Sequence, residues 1–221
     1  MLDWFSTFVT YLEFTWEDLL TAGLAHAAVV MVAVVIATVI GVGLGVATYR
    51  TERPRELVLA VTGTFLTIPS LALFGLFLSV PGLGLTTQSV VVGMVMYGLL
   101  PIVRNTIVGL REVDPAVVES AQGMGMARTE RMWRIELPLA WPVVLAGMRV
   151  STLLLIGIAA IGAYINGPGL GQEIFDGLAR IGSATALNQV VAGTVGVIVV
   201  AIVLDFCYVL INRLTVPKGI R

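Results

Sequence analysis

The chain has 221 residues, of which 57% are hydrophobic and 12% charged, and its mean hydropathy of +0.97 is too apolar for a soluble globular domain of this length. With 13 basic and 14 acidic residues the formal net charge is −1, so the basic face that a nucleic-acid partner requires is missing. Most of the chain is expected to have lipid as its solvent, which makes membrane lipid the first partner.

The N-terminal stretch carries Asp3, Glu13, Glu17 and Asp18, with no Lys or Arg before Arg50. It lacks the basic start of a cleavable signal peptide, so the first apolar run is expected to stay in the protein. Trp4, Phe8 and Tyr11 recur at helical spacing, with Trp16 beyond, and predict an amphipathic helix over residues 1–18 at the membrane–water boundary. A sixth, half-inserted segment is the alternative.

A spanning helix needs about 20 mostly apolar residues. Ala27–Tyr49 is one such stretch. Leu57–Val103 is about twice that length, and Pro81, Gly82, Gly84, Thr86, Thr87 and Gln88 put a turn near its middle, so it reads as a helical hairpin. Val150–Gln172 and Ile181–Leu204 complete five spans. The expected organisation is all-α and polytopic, one membrane domain over residues 19–211 with a polar loop over 110–140 and a tail over 212–221.

Twelve of the thirteen basic residues flank these spans on one side: Arg50, Arg53 and Arg55, then Arg104, Arg111, Arg128, Arg131, Arg134 and Arg149, then Arg213, Lys218 and Arg221. Only Arg180 falls on the other. The excess marks the cytoplasmic side, which predicts the N-terminus outside and the C-terminus inside.

Gly41, Gly43 and Gly45 superficially suggest a nucleotide loop, yet they lie inside an apolar span with no strand before them, and Gly41 and Gly45 share a helix face suited to close packing. Pro69 and Pro101 fall within spans two and three, where a missing amide donor bends a helix; such a bend either borders a solute path or is a packing kink. One histidine, His26, and one cysteine, Cys207, allow no cluster of metal ligands. The only lysine, Lys218, follows Pro217, so a phosphate loop is ruled out and the chain by itself offers no ATP-hydrolysing or other catalytic site. No Asp or Glu stands near the middle of a span. Asp205 is placed towards the inner end of span five and Arg149 near the inner end of span four, where the two either pair or reach separately to the interface.

In the polar loop, Asp114 followed by Pro115 is a helix-start signal. Val117, Ala121 and Met124 then fall on one face at i, i+4 and i+7, and Gly123 and Gly125 end the helix. A second short helix is predicted from Thr129 to about Glu136, stopped by Pro138. By itself this pattern suits either a docking helix or an amphipathic connector on the membrane surface.

Glu119-Ser120-Ala121, then Gly125, then Ile135-Glu136-Leu137-Pro138 resembles the inner-loop signature Glu-Ala-Ala-x3-Gly-x9-Ile-x-Leu-Pro of binding-protein-dependent ABC importer permeases, with Ser120 the one departure. Thr67-Ile68-Pro69-Ser70-Leu71-Ala72-Leu73, Leu100-Pro101-Ile102-Val103-Arg104-Asn105-Thr106, Gly123-Met124-Gly125-Met126 and Gly167-Pro168-Gly169-Leu170-Gly171 are similar to the osmoprotectant branch of that family, which imports glycine betaine, choline or carnitine. Methionine-type permeases share the five-span core and the loop and remain the alternative; an ion-coupled carrier is a more distant one.

The resemblance implies a type I importer permease fold in a prokaryotic cytoplasmic membrane and a non-catalytic subunit. It also implies a second permease, identical or homologous, two ATPase subunits that hold ATP and Mg, and an extracytoplasmic solute-binding protein. The loop helix would be the coupling helix, with Val117, Glu119, Ser120, Ala121, Met124, Gly125, Leu137 and Pro138 as its ATPase-coupling residues. Candidates to line the solute path are Thr67, Pro69, Ser70, Tyr97 and Asn166.

Overall fold

The computed structural model describes residues 2–216. Among them there is no strand, and nine α-helices follow one another: α1 Leu2–Thr48, α2 Glu52–Thr67, α3 Ser70–Phe77, α4 Thr87–Arg111, α5 Pro115–Gly123, α6 Arg128–Arg131, α7 Leu137–Gly162, α8 Gly171–Ala179 and α9 Ala186–Thr215. Four helical stretches, Trp4–Thr48, Thr87–Arg111, Arg128–Ile165 and Ala186–Thr215, are long and apolar enough to cross a membrane. The α2–α3 pair, bent by 96°, makes a fifth if counted as one broken span.

Four boundaries differ from expectation. Residues 2–18 are no separate segment: they open α1, one helix of 47 residues. Nothing between Trp4 and Leu20 is a proline or glycine, so no residue there interrupts the helical ladder. At about 1.5 Å per residue α1 is about 70 Å long, more than twice an apolar slab of about 30 Å. Its first third packs on the far end of the molecule, where the Tyr11 hydroxyl donates to Glu173 Oε2 of α8 at 3.0 Å.

The second difference is the fourth span, expected over Val150–Gln172, which occupies Leu137–Gly162, while Gly171 and Gln172 open α8. Pro138 does not stop a helix. A π turn at Met132–Glu136, in which the Leu137 amide donates five residues back to the Met132 carbonyl, joins α6 to α7. The wider turn displaces the carbonyl that a proline ring would otherwise strike, so the chain stays helical through it. Third, the last span begins at Ala186 rather than Ile181 and runs to Thr215, so the expected tail from residue 212 starts inside α9. Lys218 and Arg221 lie outside the described residues. Fourth, Pro69 breaks the second span outright rather than curving it: α2 ends at Thr67, and Pro69 precedes the first residue of α3.

The expected hairpin turn is present between α3 and α4. Gly82 and Gly84 have φ of +87° and +62°, and the Thr86 side chain caps α4 by accepting from the Ser89 amide at 3.3 Å.

Helices α1, α4 and α7 pack into the core. One cluster joins Val30 and Val34 of α1, Phe74 of α3, Val90 and Met94 of α4 and Leu155 of α7. A second joins Tyr49, Val103, Ile107, Leu110, Met132, Ala140 and Val144 at the arginine-rich end. Between apolar helices in lipid, association depends on close van der Waals contact, which small residues allow. A Cβ on Gly41 would stand 2.8 Å from Ile102 Cγ2 and one on Gly45 2.6 Å from Thr106 Cγ2, whereas Gly43 faces open space. At the far end His26 is buried, with Nε2 3.1 Å from the Ile156 carbonyl, and Gly169, at φ +120°, brings its backbone against the ring. Along α9, by contrast, Ile198, Val199, Ile202 and Val203 are all exposed, a face suited to lipid or to another chain.

Candidate coupling loop and charged sites

Helix α5 is defined at both ends by side-chain and backbone chemistry. The Asp114 carboxylate accepts from the Ala116 amide at 2.8 Å, and Pro115 takes the first helical position, where no amide donor is needed. At the other end Gly125 has φ +83°, its amide donates to the Gln122 carbonyl, and the Met126 amide reaches back to the Ala121 carbonyl. This paired closure requires a left-handed residue at Gly125 and turns the chain back sharply.

The expected apolar face of α5 is split. Val117 and Met124 are exposed, Met124 at 72%, but Ala121 is 1% exposed and faces its own chain, so it cannot belong to an outward docking surface. Burial by the surrounding chain is a tertiary matter that helical spacing does not reveal. Glu119 and Ser120 are exposed, and Ser120 Oγ donates to the Ala116 carbonyl at 2.7 Å. Val117, Leu137 and Pro138 come together with Trp133 and Trp141 around one groove of about 640 Å³ beside α5. Trp133 is 68% exposed. Sequence reasoning assigned it no role, although a tryptophan within an arginine-rich polar loop was the available signal.

The largest electrostatic feature of this end also went unassigned. Glu136 is 1% exposed, and its carboxylate accepts four hydrogen bonds from three side chains. The Tyr49 hydroxyl donates to Oε2 at 2.6 Å, Arg50 Nη2 to Oε1 and Oε2 at 2.9 and 3.1 Å, and Arg131 Nε to Oε1 at 2.9 Å. The Arg50 guanidinium also lies 5.1 Å from the centre of the Tyr49 ring. Burial and the bond to Glu136 push the Tyr49 phenol up to about 12, so it is a donor throughout the physiological range. Glu136 occupies the variable position of the Ile-x-Leu-Pro run, where the signature asks nothing.

The second charged site lies along α7 and α9. Arg149 Nε and Nη2 donate to Asp205 Oδ1 and Oδ2 at 2.5 and 2.7 Å, a two-pronged pair. Arg149 is not at the inner end of its helix: it stands twelve positions after Leu137, about 18 Å along α7. The arginine was expected to bound the span because an unpaired charge would not enter it. Paired, it lies within.

Of the candidate path residues, Thr67, Pro69 and Ser70 sit at the α2–α3 break, with Thr67 and Pro69 exposed. Tyr97 is placed differently. It is 4% exposed, and its hydroxyl donates at 2.6 Å to the Ile68 carbonyl, which the break frees from a regular helical partner, so it holds the bend rather than open surface. Asn166 is exposed in a left-handed turn after α7, with φ +63°. None of the five lines the grooves around α9 or beside α5.

With bent α2–α3, capped α5 and the long apolar helices in view, comparison with known proteins places the chain. The family described as binding-protein-dependent transport system inner membrane component matches residues 37–217. The chain belongs to that family. It is 34% identical over 213 residues to the choline transport system permease protein OpuBB of Bacillus subtilis, covering 96% of this chain and 95% of that protein. The osmoprotectant import permease protein OsmW of Salmonella typhimurium is 37% identical over 202 residues, covering 89% and 91%. Among solved structures, the methionine ABC transporter MetNI in an inward-facing conformation superposes with a TM-score of 0.78 at 22% identity, over 93% of this chain and 99% of that one, which establishes the shared fold. This chain is therefore a membrane-embedded transport permease subunit.

Proposed function

We propose that the protein is the permease subunit of an ATP-driven importer for a small quaternary-amine osmoprotectant such as glycine betaine, choline or carnitine. The observation that carries this reading is near-full-length likeness to relatives named for choline and osmoprotectant transport. The arginine-rich end lies in the cytoplasm and the first part of α1 outside, in keeping with the bias of basic residues. A second permease, identical or homologous, completes the path, an extracytoplasmic binding protein delivers the solute, and two ATPase subunits bind ATP and Mg and do the hydrolysis.

In this reading α5 is the coupling helix. A helix that transmits motion has to be short, stiff and turned outward, and the Asp114–Pro115 start and the Gly125 closure supply those properties. Val117, Glu119, Ser120 and Met124 face the ATPase, while Leu137, Pro138 and Trp133 form the wall beside them. Movement of the two coupling helices reorients the spans between outward and inward access. Thr67, Pro69 and Ser70 at the broken helix, and Asn166, are the candidates to border the path. Most selectivity rests with the binding protein, where aromatic rings hold a quaternary cation.

The test is reconstitution in vesicles with the ATPase and binding protein, followed by uptake with glycine betaine, choline, carnitine and methionine as competitors. Competition by a quaternary amine supports the reading. Uptake blocked by methionine alone overturns the substrate class.

A further inference from the structure

We propose that Glu136 is the positioning residue that locks the coupling loop to the α1–α2 junction, so that displacement of α5 reaches α1 and the bent α2–α3 pair as well as α7. The inference rests on the reading of α5 as the coupling helix.

Little of the chain holds α5. Its principal packing neighbour is α6, four residues long, and α6 runs through the π turn into α7. A push on α5 therefore reaches α7 along the chain itself. Apolar packing already sets that path against the end of α1, where Tyr49 meets Met132 and Ala140, but such contacts can slide. Glu136 adds a directional, charged connection to the α1–α2 junction. On one side it takes Arg131 of α6; on the other it takes Tyr49 and Arg50, the last residues before Thr51 and α2.

The connection is stiff for stated reasons. Glu136 and Arg131 are almost wholly buried, with side-chain exposures of 2% and 8%, so water competes little for either partner. The bonds spread over both carboxylate oxygens, which fixes the carboxylate plane as well as its position. A buried carboxylate is costly unless fully bonded, which gives the cluster few alternative arrangements. The π turn contributes too: Glu136 is its last residue, at the point where α7 begins. Arg131, five residues before Glu136 in the same helical run, brings into the cluster the short helix against which α5 packs.

The experiment uses the full complex of permease, ATPase and binding protein in vesicles, measuring uptake and ATP hydrolysis together. Glu136→Gln keeps the shape and still accepts from Tyr49, but loses the charge that holds both arginines. The expected result is normal ATPase co-purification and continued hydrolysis, with solute transported per ATP reduced at least about tenfold and hydrolysis less dependent on the binding protein. Arg50→Lys and Arg131→Lys, which keep charge but lose guanidinium geometry, should show smaller losses in the same ratio; they carry the test if Glu136→Gln does not assemble. Uptake and hydrolysis falling together in proportion to assembled complex would mean a structural cluster only and overturn the proposal, as would unchanged coupling in all three variants. Failure of the wild-type permease to retain an ATPase would instead remove the coupling-helix reading beneath it.

Discussion

Glu136 and Asp205 each hold an arginine, yet they solve different problems. Glu136 sits where the helices reach the arginine-rich end, walled in by its own chain, with Tyr49, Arg50 and Arg131 around it. Asp205 sits part-way along an apolar helix with one partner, and the side chains of the pair are 45% and 30% exposed. A charged pair open to hydrocarbon is costly, so the exposed side of this pair calls for polar surroundings. The first site is complete within one chain. The second implies surroundings that one chain does not supply.

The largest effect should come from breaking the enclosed site. Glu136→Ala leaves Arg131 buried without a counter-charge, and the loss of stability should be about 3 kcal/mol, near the lower end for a broken buried pair because Arg50, a third exposed, can turn to water. Thermal unfolding in detergent measures it, and a change below about 1 kcal/mol would place the cluster with ordinary surface pairs.

Next is Gly125→Asp, which probes the same end without touching the cluster. A Cβ there meets nothing of this chain within 4 Å, so the internal cost is only that of φ +83°, about 1–2 kcal/mol. Uptake should nevertheless be lost while the protein still inserts, because the remaining obstruction falls on the partner. Wild-type uptake with normal ATPase co-purification would show α5 to be a passive surface helix.

The open pair is tested by Asp205→Asn, Arg149→Gln and the double variant. Each single change should lower the yield of assembled complex several-fold, and the double should recover part of that loss. Strict additivity would show that the two side chains act separately.

The smallest effect belongs to Tyr49→Phe, which removes one bond to Glu136 and should cost about 1–2 kcal/mol. The folded phenol titrates at about 12, above the ordinary value of 10, so its contribution is present below pH 10 and fades as pH rises through 12. Wild type should therefore lose its advantage over Tyr49→Phe across that window, and a constant difference would remove Tyr49 from the cluster.

Much of this molecule was legible in order along the chain. The all-helical, membrane-spanning character, the hairpin turn at Gly82 and Gly84, the closeness implied by Gly41 and Gly45, and both ends of α5 all follow from local rules: apolar length, missing amide donors, capping chemistry and positive φ. Those are properties of a residue and its near neighbours, so sequence by itself determined them. What only the tertiary structure decided are matters of partnership. In sequence Arg149 and Asp205, 56 residues apart, either pair or reach separately to the interface, and only the structure decides for the pair and places Arg149 inside its helix. Tyr97 became a cap for Ile68, Ala121 turned inward, Pro138 was absorbed by a π turn, and Glu136, a variable letter in a signature, acquired donors from residues up to 87 positions distant. A charge in an apolar medium is tolerable only through what surrounds it, and those surroundings are assembled by packing.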